Sequence, residues 1–223
     1  MTVQEIVTRV RAAIDELMQN DSDFLLESKD EENLTAVIVD KIGYAWQHVA
    51  ERAPLDKLDS SMFETLTPEE LEESFSISND LVGKVVLPGD LLRVIEARLS
   101  SWSYFPLPES DRSQVYLMQQ DTYARGSWDR PVNILTYDGS DRVLEMYSAK
   151  TDNDDLIFVF IRKPDTSDIS TDEMQTDIPV PTQLEASLIY QTAGLAMLSF
   201  RENIASSLLA IAERYLDPKE DAR

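Results

Sequence analysis

The side chains that could do chemistry in this 223-residue chain are mainly carboxylates, because the sequence has 42 acidic residues, one histidine and no cysteine. The densest carboxylate cluster is Asp152, Asp154 and Asp155. Paired carboxylates can act as the acid and base of a hydrolase, and their oxygens can bind a cation. This cluster lacks the glycine turn and the downstream glutamate of a calcium loop. We therefore predict a polar turn or an acidic surface without a metal.

Other catalytic chemistries find little support in the sequence. His48 has no second histidine with which to build a metal site or an acid–base pair, so it is predicted to be a structural or surface residue. The six glycines lie far apart, and no phosphate-binding loop or nucleophile elbow is present. We therefore predict no catalytic residues and no cofactor, with a carboxylate-based hydrolase left open as an alternative.

Helices are predicted at both ends of the chain. Apolar residues at three- and four-residue steps indicate helices over 3–19 and 33–52 near the N-terminus. Thr2 followed by Glu5 forms a capping box at the start of the first. Two further helices, over 182–199 and 201–216, are predicted to close the chain.

Strands are predicted between the two helix pairs. Alternation over 92–102 indicates a strand, with a helix as the alternative, and the apolar run 156–161 indicates a central strand. The segment 131–147 is predicted to be a hairpin, because Asp138-Gly139 readily adopts the positive φ of a tight turn.

Two short helices are expected around these strands. Thr67, Pro68 and Glu70 have the pattern of a helix start within an acidic connection. Ser110 is predicted to cap a helix over 111–123.

The order of helices, then strands, then helices predicts an α+β fold. We expect a helical bundle formed by the N- and C-terminal helices, with an inserted small antiparallel β lobe, as one domain over 1–223. Its predicted parts are an N-terminal helix pair (1–54), an acidic connection (55–90), a β-rich lobe (91–162), an acidic proline-containing connection (163–181), a C-terminal helix pair (182–216) and a polar tail (217–223).

The net charge of −22 is concentrated in three stretches. Residues 15–32 and 59–80 each carry −7, and residues 151–177 carry −6. Such a surface repels phosphate backbones, which argues against a conventional nucleic-acid-binding module. No apolar run approaches the length of a membrane span, so no membrane association is predicted. The excess acids are predicted to lie in solvated connections.

Aromatic and arginine side chains are concentrated in the nearly neutral stretch 81–150, whose net charge is −1. These residue types dominate the energetic centres of protein interfaces, but they are also unexceptional as core or loop-packing residues. An interface role and a structural role both stay open for them. The candidate interface residues are Trp102, Tyr104, Phe105, Tyr123, Arg125, Trp128 and Arg130, together with Leu216, Asp217 and Pro218 near the C-terminus.

Three segments of the chain carry a resemblance to a known family. They are EIVTRVRAAIDEL followed by TAVIVDKIGYAWQHVAERAPLDKLD, then KVVLPGDLLRVIEARLSSW, and finally PTQLEASLIYQTAGLAMLSF. In their order and in their sequence motifs, these segments resemble the head–tail adaptor (connector) proteins of tailed bacteriophages, of the podovirus type. Among these the chain is most similar to the neck ring proteins of crAss-like phages.

The resemblance implies a virion structural protein without catalysis. Such adaptors assemble in the host cytoplasm into a ring, usually of twelve copies, that joins the portal protein to other neck and tail proteins. Their C-terminal segment often docks against the portal, which here corresponds to residues 216–223. DNA passes through the ring without specific binding, and an acidic lining at Asp152, Asp154 and Asp155 would repel its phosphates.

One further function class is consistent with the charge. An acidic protein that mimics DNA could inhibit a DNA-binding enzyme. Such a mimic needs carboxylates spaced like phosphates along a rigid face, whereas the acids of this chain are predicted to lie in connections.

Overall fold

The computed structural model describes residues 1–18, 28–121, 123–165, 169–198 and 200–216. The chain has an α+β fold, so the predicted fold class is confirmed. It divides into two compact units. Residues 1–60 and 164–223 form the helical unit, and residues 61–163 form the β-rich unit.

The helices and strands have the following bounds. The helices are α1 (Val3–Met18), α2 (Ser28–Arg52), α3 (Pro68–Ser74), α4 (Gln114–Gln119), α5 (Glu185–Met197) and α6 (Glu202–Leu216). The strands are β1 (Glu64–Thr65), β2 (Phe75–Ile77), β3 (Val82–Val86), β4 (Leu91–Leu99), β5 (Pro108–Ser110), β6 (Val132–Asp138), β7 (Asp141–Tyr147) and β8 (Leu156–Arg162).

The helical unit is built around α5, which packs against α1, α2 and α6. Gly194 lies at the closest approach of α5 to α6, where a Cβ atom would stand 2.6 Å from the Cγ atom of Leu209. The predicted capping box is confirmed: the Glu5 N–H donates to Thr2 Oγ1 and the Thr2 N–H donates to Glu5 Oε2. None of the described helices combines the length and the apolar character that a membrane crossing requires.

The β-rich unit contains two sheets. One has the strand order β1-β8-β4, so the predicted central position of β8 is confirmed. The other has the order β2-β3-β7-β6-β5, in which β5 and β6 are parallel and the remaining pairs are antiparallel. Buried side chains of both sheets, including Phe158, Phe160 and Leu144, form one apolar core.

The predicted hairpin is present as β6 and β7, where Asp138 pairs with Asp141. Gly139 takes the positive φ of 63° that the turn requires. The strand over 91–99 is also confirmed, and the alternative of a helix there is wrong, because these residues pair with β8 along their length.

Two details of the β-rich region differ from the sequence prediction. The segment 55–90 is not only a connection, because it supplies β1, β2, β3 and α3. These strands are two to five residues long, too short for alternation to identify them. Ser113, not Ser110, caps α4 by accepting a hydrogen bond from the Tyr116 N–H. Ser110 is instead the last residue of β5 and pairs with Leu135.

Candidate interaction surface

The carboxylates Asp152, Asp154 and Asp155 lie in the turn that precedes β8. Asp154 accepts hydrogen bonds from Ser101 Oγ at 2.7 Å and from the Lys150 N–H at 2.7 Å. Burial by itself raises the pKa of Asp154, but these hydrogen bonds outweigh it and lower the pKa. Asp154 therefore ties the turn to the end of β4, as the polar-turn prediction requires.

Asp152 and Asp155 are exposed and do not converge with Asp154 on a common centre. Across the described parts of the chain, no group of three or more His, Asp or Glu side chains is placed to hold a metal ion. The two exposed carboxylates belong to an acidic surface.

His48 lies on α2 and faces α6. Its Nε2 atom is 3.3 Å from Glu213 Oε1, and the same oxygen accepts a 2.6 Å hydrogen bond from Arg52 Nη1. The three side chains connect two helices of one bundle, which matches the predicted structural role of His48.

Two of the candidate interface aromatics contact the apolar core of their own unit. The Trp102 side chain is 2% exposed, belongs to the apolar core of the β-rich unit and donates through Nε1 to the Ser148 carbonyl oxygen at 2.9 Å. Phe105 packs against the same core. An interface role for Trp102 is therefore wrong, because its apolar area is already buried within its own unit. Phe105 is only partly buried, so its interface role stays a prediction.

Three other candidates do present their side chains to solvent. Tyr123 is 99% exposed, Tyr104 is 50% exposed and Trp128 is 48% exposed. The Lys150 ammonium lies 4.9 Å from the centre of the Trp128 ring, a cation–π contact that covers one part of the indole. Exposed aromatic rings of this size are what a protein partner would bury.

The two candidate arginines differ in their surroundings. Arg125 donates to the Asp80 carbonyl oxygen at 3.1 Å, and its guanidinium lies 5.1 Å from the centre of the Tyr147 ring. Burial, followed by the hydrogen bond to Glu145, raises the pKa of Tyr147, so this phenol stays protonated. Arg125 is thus held within its unit, whereas Arg130 is exposed.

The C-terminal candidates fall into two groups. Leu216 is 2% exposed at the end of α6, and its carbonyl oxygen accepts a hydrogen bond from Lys57 Nζ at 2.9 Å. Its predicted role as a partner contact is therefore wrong, because the side chain packs inside the helical unit. Asp217 and Pro218 lie outside the described residues.

The sequence prediction missed three exposed apolar residues that are close to these aromatics in the sequence. Leu107 is 79% exposed, Leu117 is 63% exposed and Met118 is 47% exposed. Leu117 and Met118 lie on α4, whose short length gives no amphipathic pattern that could reveal an exposed apolar face. We use the name apolar segment for the six exposed side chains Tyr104, Leu107, Leu117, Met118, Tyr123 and Trp128.

The backbone that carries the second half of the apolar segment is held in place by buried polar contacts. The Gln119 side chain is 6% exposed, and its Oε1 atom accepts a 2.7 Å hydrogen bond from the Gly126 N–H. Ser148 Oγ donates to the Gly126 carbonyl oxygen at 2.9 Å. A Cβ atom at Gly126 would stand 3.0 Å from the Tyr147 carbonyl oxygen, so the loop lies directly against β7. A loop anchored in this way presents its side chains at a lower entropic cost of binding.

A second charged cluster, which the sequence did not indicate, is centred on Arg162 at the end of β8. Its guanidinium donates to Glu64 at 2.6 Å, to Asp90 at 2.9 Å and to Glu70 at 3.2 Å. The hydrogen bonds to Asp90 and Glu64 raise the pKa of Arg162 further above its usual range. The hydrogen bond from the Thr67 N–H is the main cause that lowers the pKa of Glu70. Four segments of the β-rich unit are joined here.

No protein-family model matches this chain, and a search of the curated proteins finds no match either.

Proposed function

We propose that this protein is a virion structural protein, a head–tail adaptor that forms a ring between the portal and the tail around the DNA channel. The observation that carries the proposal is the apolar segment. Its six exposed apolar side chains lie within 25 consecutive residues of a stretch that is almost neutral, in a chain whose net charge is −22.

Charge determines which surfaces of such a chain can meet another copy. Two copies that each carry −22 repel one another across any acidic face, and this repulsion adds around a closed ring. Contacts between copies are therefore favoured at neutral, apolar surfaces. Trp128, Tyr123 and Tyr104 supply anchors of the kind that dominate binding energy, and the exposed Arg130 lies in the same stretch.

The acidic surfaces have a complementary role in this proposal. A duplex that slides through a ring must not bind its wall, and carboxylates repel phosphates without releasing counterions. Exposed acids such as Asp152 and Asp155 would suit a lining of this kind. The protein would be located in the neck of the virion, with the portal and other neck or tail proteins as its partners.

Electron microscopy of negatively stained particles tests this proposal directly. The purified protein is imaged alone and after mixing with the portal assembly of the same phage, because adaptors often assemble only on their template. We expect closed rings with rotational symmetry in at least one of the two samples. Monomers in both samples would contradict an adaptor role.

Filter binding with duplex DNA tests the channel part of the proposal separately. We expect no retention of DNA by the protein at low salt, where a basic surface would bind most strongly. Measurable affinity for duplex DNA under these conditions would contradict an acidic, repulsive lining.

A further inference from the structure

A groove outside the apolar segment opens between α3 and the end of β3 in the β-rich unit. It has a volume of about 330 Å³. The residues that line it are Leu66, Glu70, Glu73, Ser74, Val86, Leu87 and Pro88.

The floor of the groove is apolar and open to solvent. Val86, the last residue of β3, is 40% exposed, whereas its neighbours Val85 and Leu87 are buried. Leu66 is half-buried and packs against the core of the unit. The groove thus exposes an apolar floor that is continuous with the apolar core of the unit. An apolar surface that is exposed at a concave site favours a binding role.

The rim of the groove is acidic. Glu70, Glu73 and Ser74 are spaced three and four residues apart, so α3 turns all three towards the groove. Glu70 is neutralised in part by Arg162, but Glu73 makes no ion pair with any described residue. Glu69 and Glu72 are exposed on the same helix, and residues 59–80 contain no Lys or Arg at all.

Like charges on one helix have an energetic consequence. Glu69 and Glu73 are four residues apart, a spacing at which two carboxylates destabilise a helix. The capping box of Thr67 and Glu70 and the contact of Glu70 with Arg162 hold α3 in place despite this repulsion. A cation that bound at the rim would relieve the repulsion, while an apolar side chain filled the floor.

We propose that this groove binds a short basic and apolar segment of a partner protein, with an apolar side chain against Val86 and Leu66 and flanking Lys or Arg side chains on Glu73 and its neighbours. The charge complementarity decides between possible occupants. A second copy of this chain would bring its own excess of acids, and an acidic or neutral segment would leave the rim carboxylates unpaired. The inference is independent of the ring proposal, because it involves different residues.

A designed peptide serves as the probe, since the partner is not identified. The labelled peptide has nine residues, which include two leucines and five lysines. Its affinity for the full chain is measured by fluorescence anisotropy at low and at physiological salt. A second peptide replaces both leucines with serine and so keeps the charge. We expect the serine peptide to bind about tenfold more weakly, as the loss of one buried apolar side chain predicts.

Variants of the protein separate groove binding from a diffuse attraction between a basic peptide and an acidic protein. Val86→Ser leaves the charge unchanged and is expected to weaken the leucine peptide about tenfold while leaving the serine peptide unaffected. Glu69→Gln/Glu73→Gln removes the rim charge of Glu73 and the charge of Glu69 on the same helix. Its matched control, Asp152→Asn/Asp172→Asn, removes two exposed charges elsewhere and is expected to have the smaller effect.

Three results would overturn the proposal. The first is equal binding of the leucine and serine peptides, which indicates charge attraction alone. The second is an equal effect of the rim variant and its control, which indicates that the site is not at α3. The third is a loss of self-association in Val86→Ser, measured by mass photometry, with no loss of peptide binding, which would make the groove an interface between copies. Thermal unfolding of each variant, expected to be near wild type, shows that the fold is kept.

Discussion

The helical unit and the β-rich unit differ in how their exposed large apolar side chains are distributed along the chain. In the helical unit, the exposed large apolar side chains are two tyrosines together with Leu55, Leu198 and Phe200, and they are distributed along the chain. Tyr44 lies near the Lys41 ammonium, and Tyr215 stacks on Tyr190 with ring centres 5.5 Å apart. In the β-rich unit, six exposed apolar side chains follow one another within a single loop-rich stretch. The first pattern is that of an ordinary surface, and the second is the one that our proposal assigns to a contact with a partner.

The net charge also differs between the two units. The helical unit carries −14 of the net charge and the β-rich unit carries −8, of which residues 61–80 account for −6. The stretch 81–150 is left nearly neutral. The charge of −22 is thus a property of particular surfaces, and the neutral surfaces are where protein contacts cost least.

The largest expected effects come from a matched pair of core truncations. Trp46→Ala in the helical unit and Phe160→Ala in the β-rich unit each remove a side chain that is at most 2% exposed. Each is expected to lower the free energy of unfolding by about 3–5 kcal/mol, through lost burial and the cavity left behind. Hydrogen–deuterium exchange should rise in the unit that carries the substitution. Equal increases in both units would contradict the division into two separate cores.

A glycine pair tests the close approach of α5 and α6. Gly194→Ala places a Cβ atom against Leu209, close to its backbone nitrogen as well as its side chain, and is expected to cost about 1–3 kcal/mol. Gly89→Ala is the control, because no atom lies within 4 Å of a Cβ built there. Urea denaturation of both variants gives the comparison. A stability of Gly194→Ala equal to that of Gly89→Ala would show that the two helices do not pack as closely as described.

A smaller, pH-dependent effect is expected at the turn before β8. Because the pKa of Asp154 is lowered in the folded protein, its carboxylate stabilises the fold at neutral pH. That contribution is lost as the pH falls below the ordinary value of about 3.8 and through the folded pKa. Asp154→Asn should therefore lower the stability by about 1 kcal/mol at pH 7, and the difference from wild type should shrink towards pH 3.

The exposed Asp155 provides the control for that experiment. Asp155→Asn removes the same charge from the neighbouring position and is expected to leave the stability almost unchanged at either pH. Thermal unfolding followed by circular dichroism gives both values. A constant difference between Asp154→Asn and wild type from pH 7 to pH 3 would rule out the carboxylate as the cause.

Helices α1, α2 and α6 were predictable because their apolar faces repeat over about four or more turns, and Thr2 with Glu5 marks the start of α1. Gly139 likewise identified a hairpin, since a positive φ favours glycine. The strands β1, β2 and β3 were not predictable, because two to five residues cannot show a periodicity. Their pairing is decided by tertiary contacts, such as that between β1 and β8.

The candidate surface was only half predictable, for a related reason. Residue type indicates that an aromatic side chain can anchor a partner, but burial depends on what folds over it. Trp102 donates a hydrogen bond to the Ser148 carbonyl oxygen and packs in the core of its own unit. Trp128 lies in a turn between Ser127 and Arg130 and stays exposed. Nothing in the two local sequences distinguishes these outcomes.

The measurement that tests the proposed ring most directly is the assembled mass of the protein mixed with the proposed portal partner, determined by mass photometry for three proteins. Wild type is compared with Tyr123→Ser/Trp128→Ser and with the control Tyr44→Ser, which removes a tyrosine that is 65% exposed on α2. We predict that the double substitution abolishes or strongly reduces the ring-sized species, while the control assembles like wild type. Equal assembly of all three proteins would contradict the claim that the apolar segment holds the copies together.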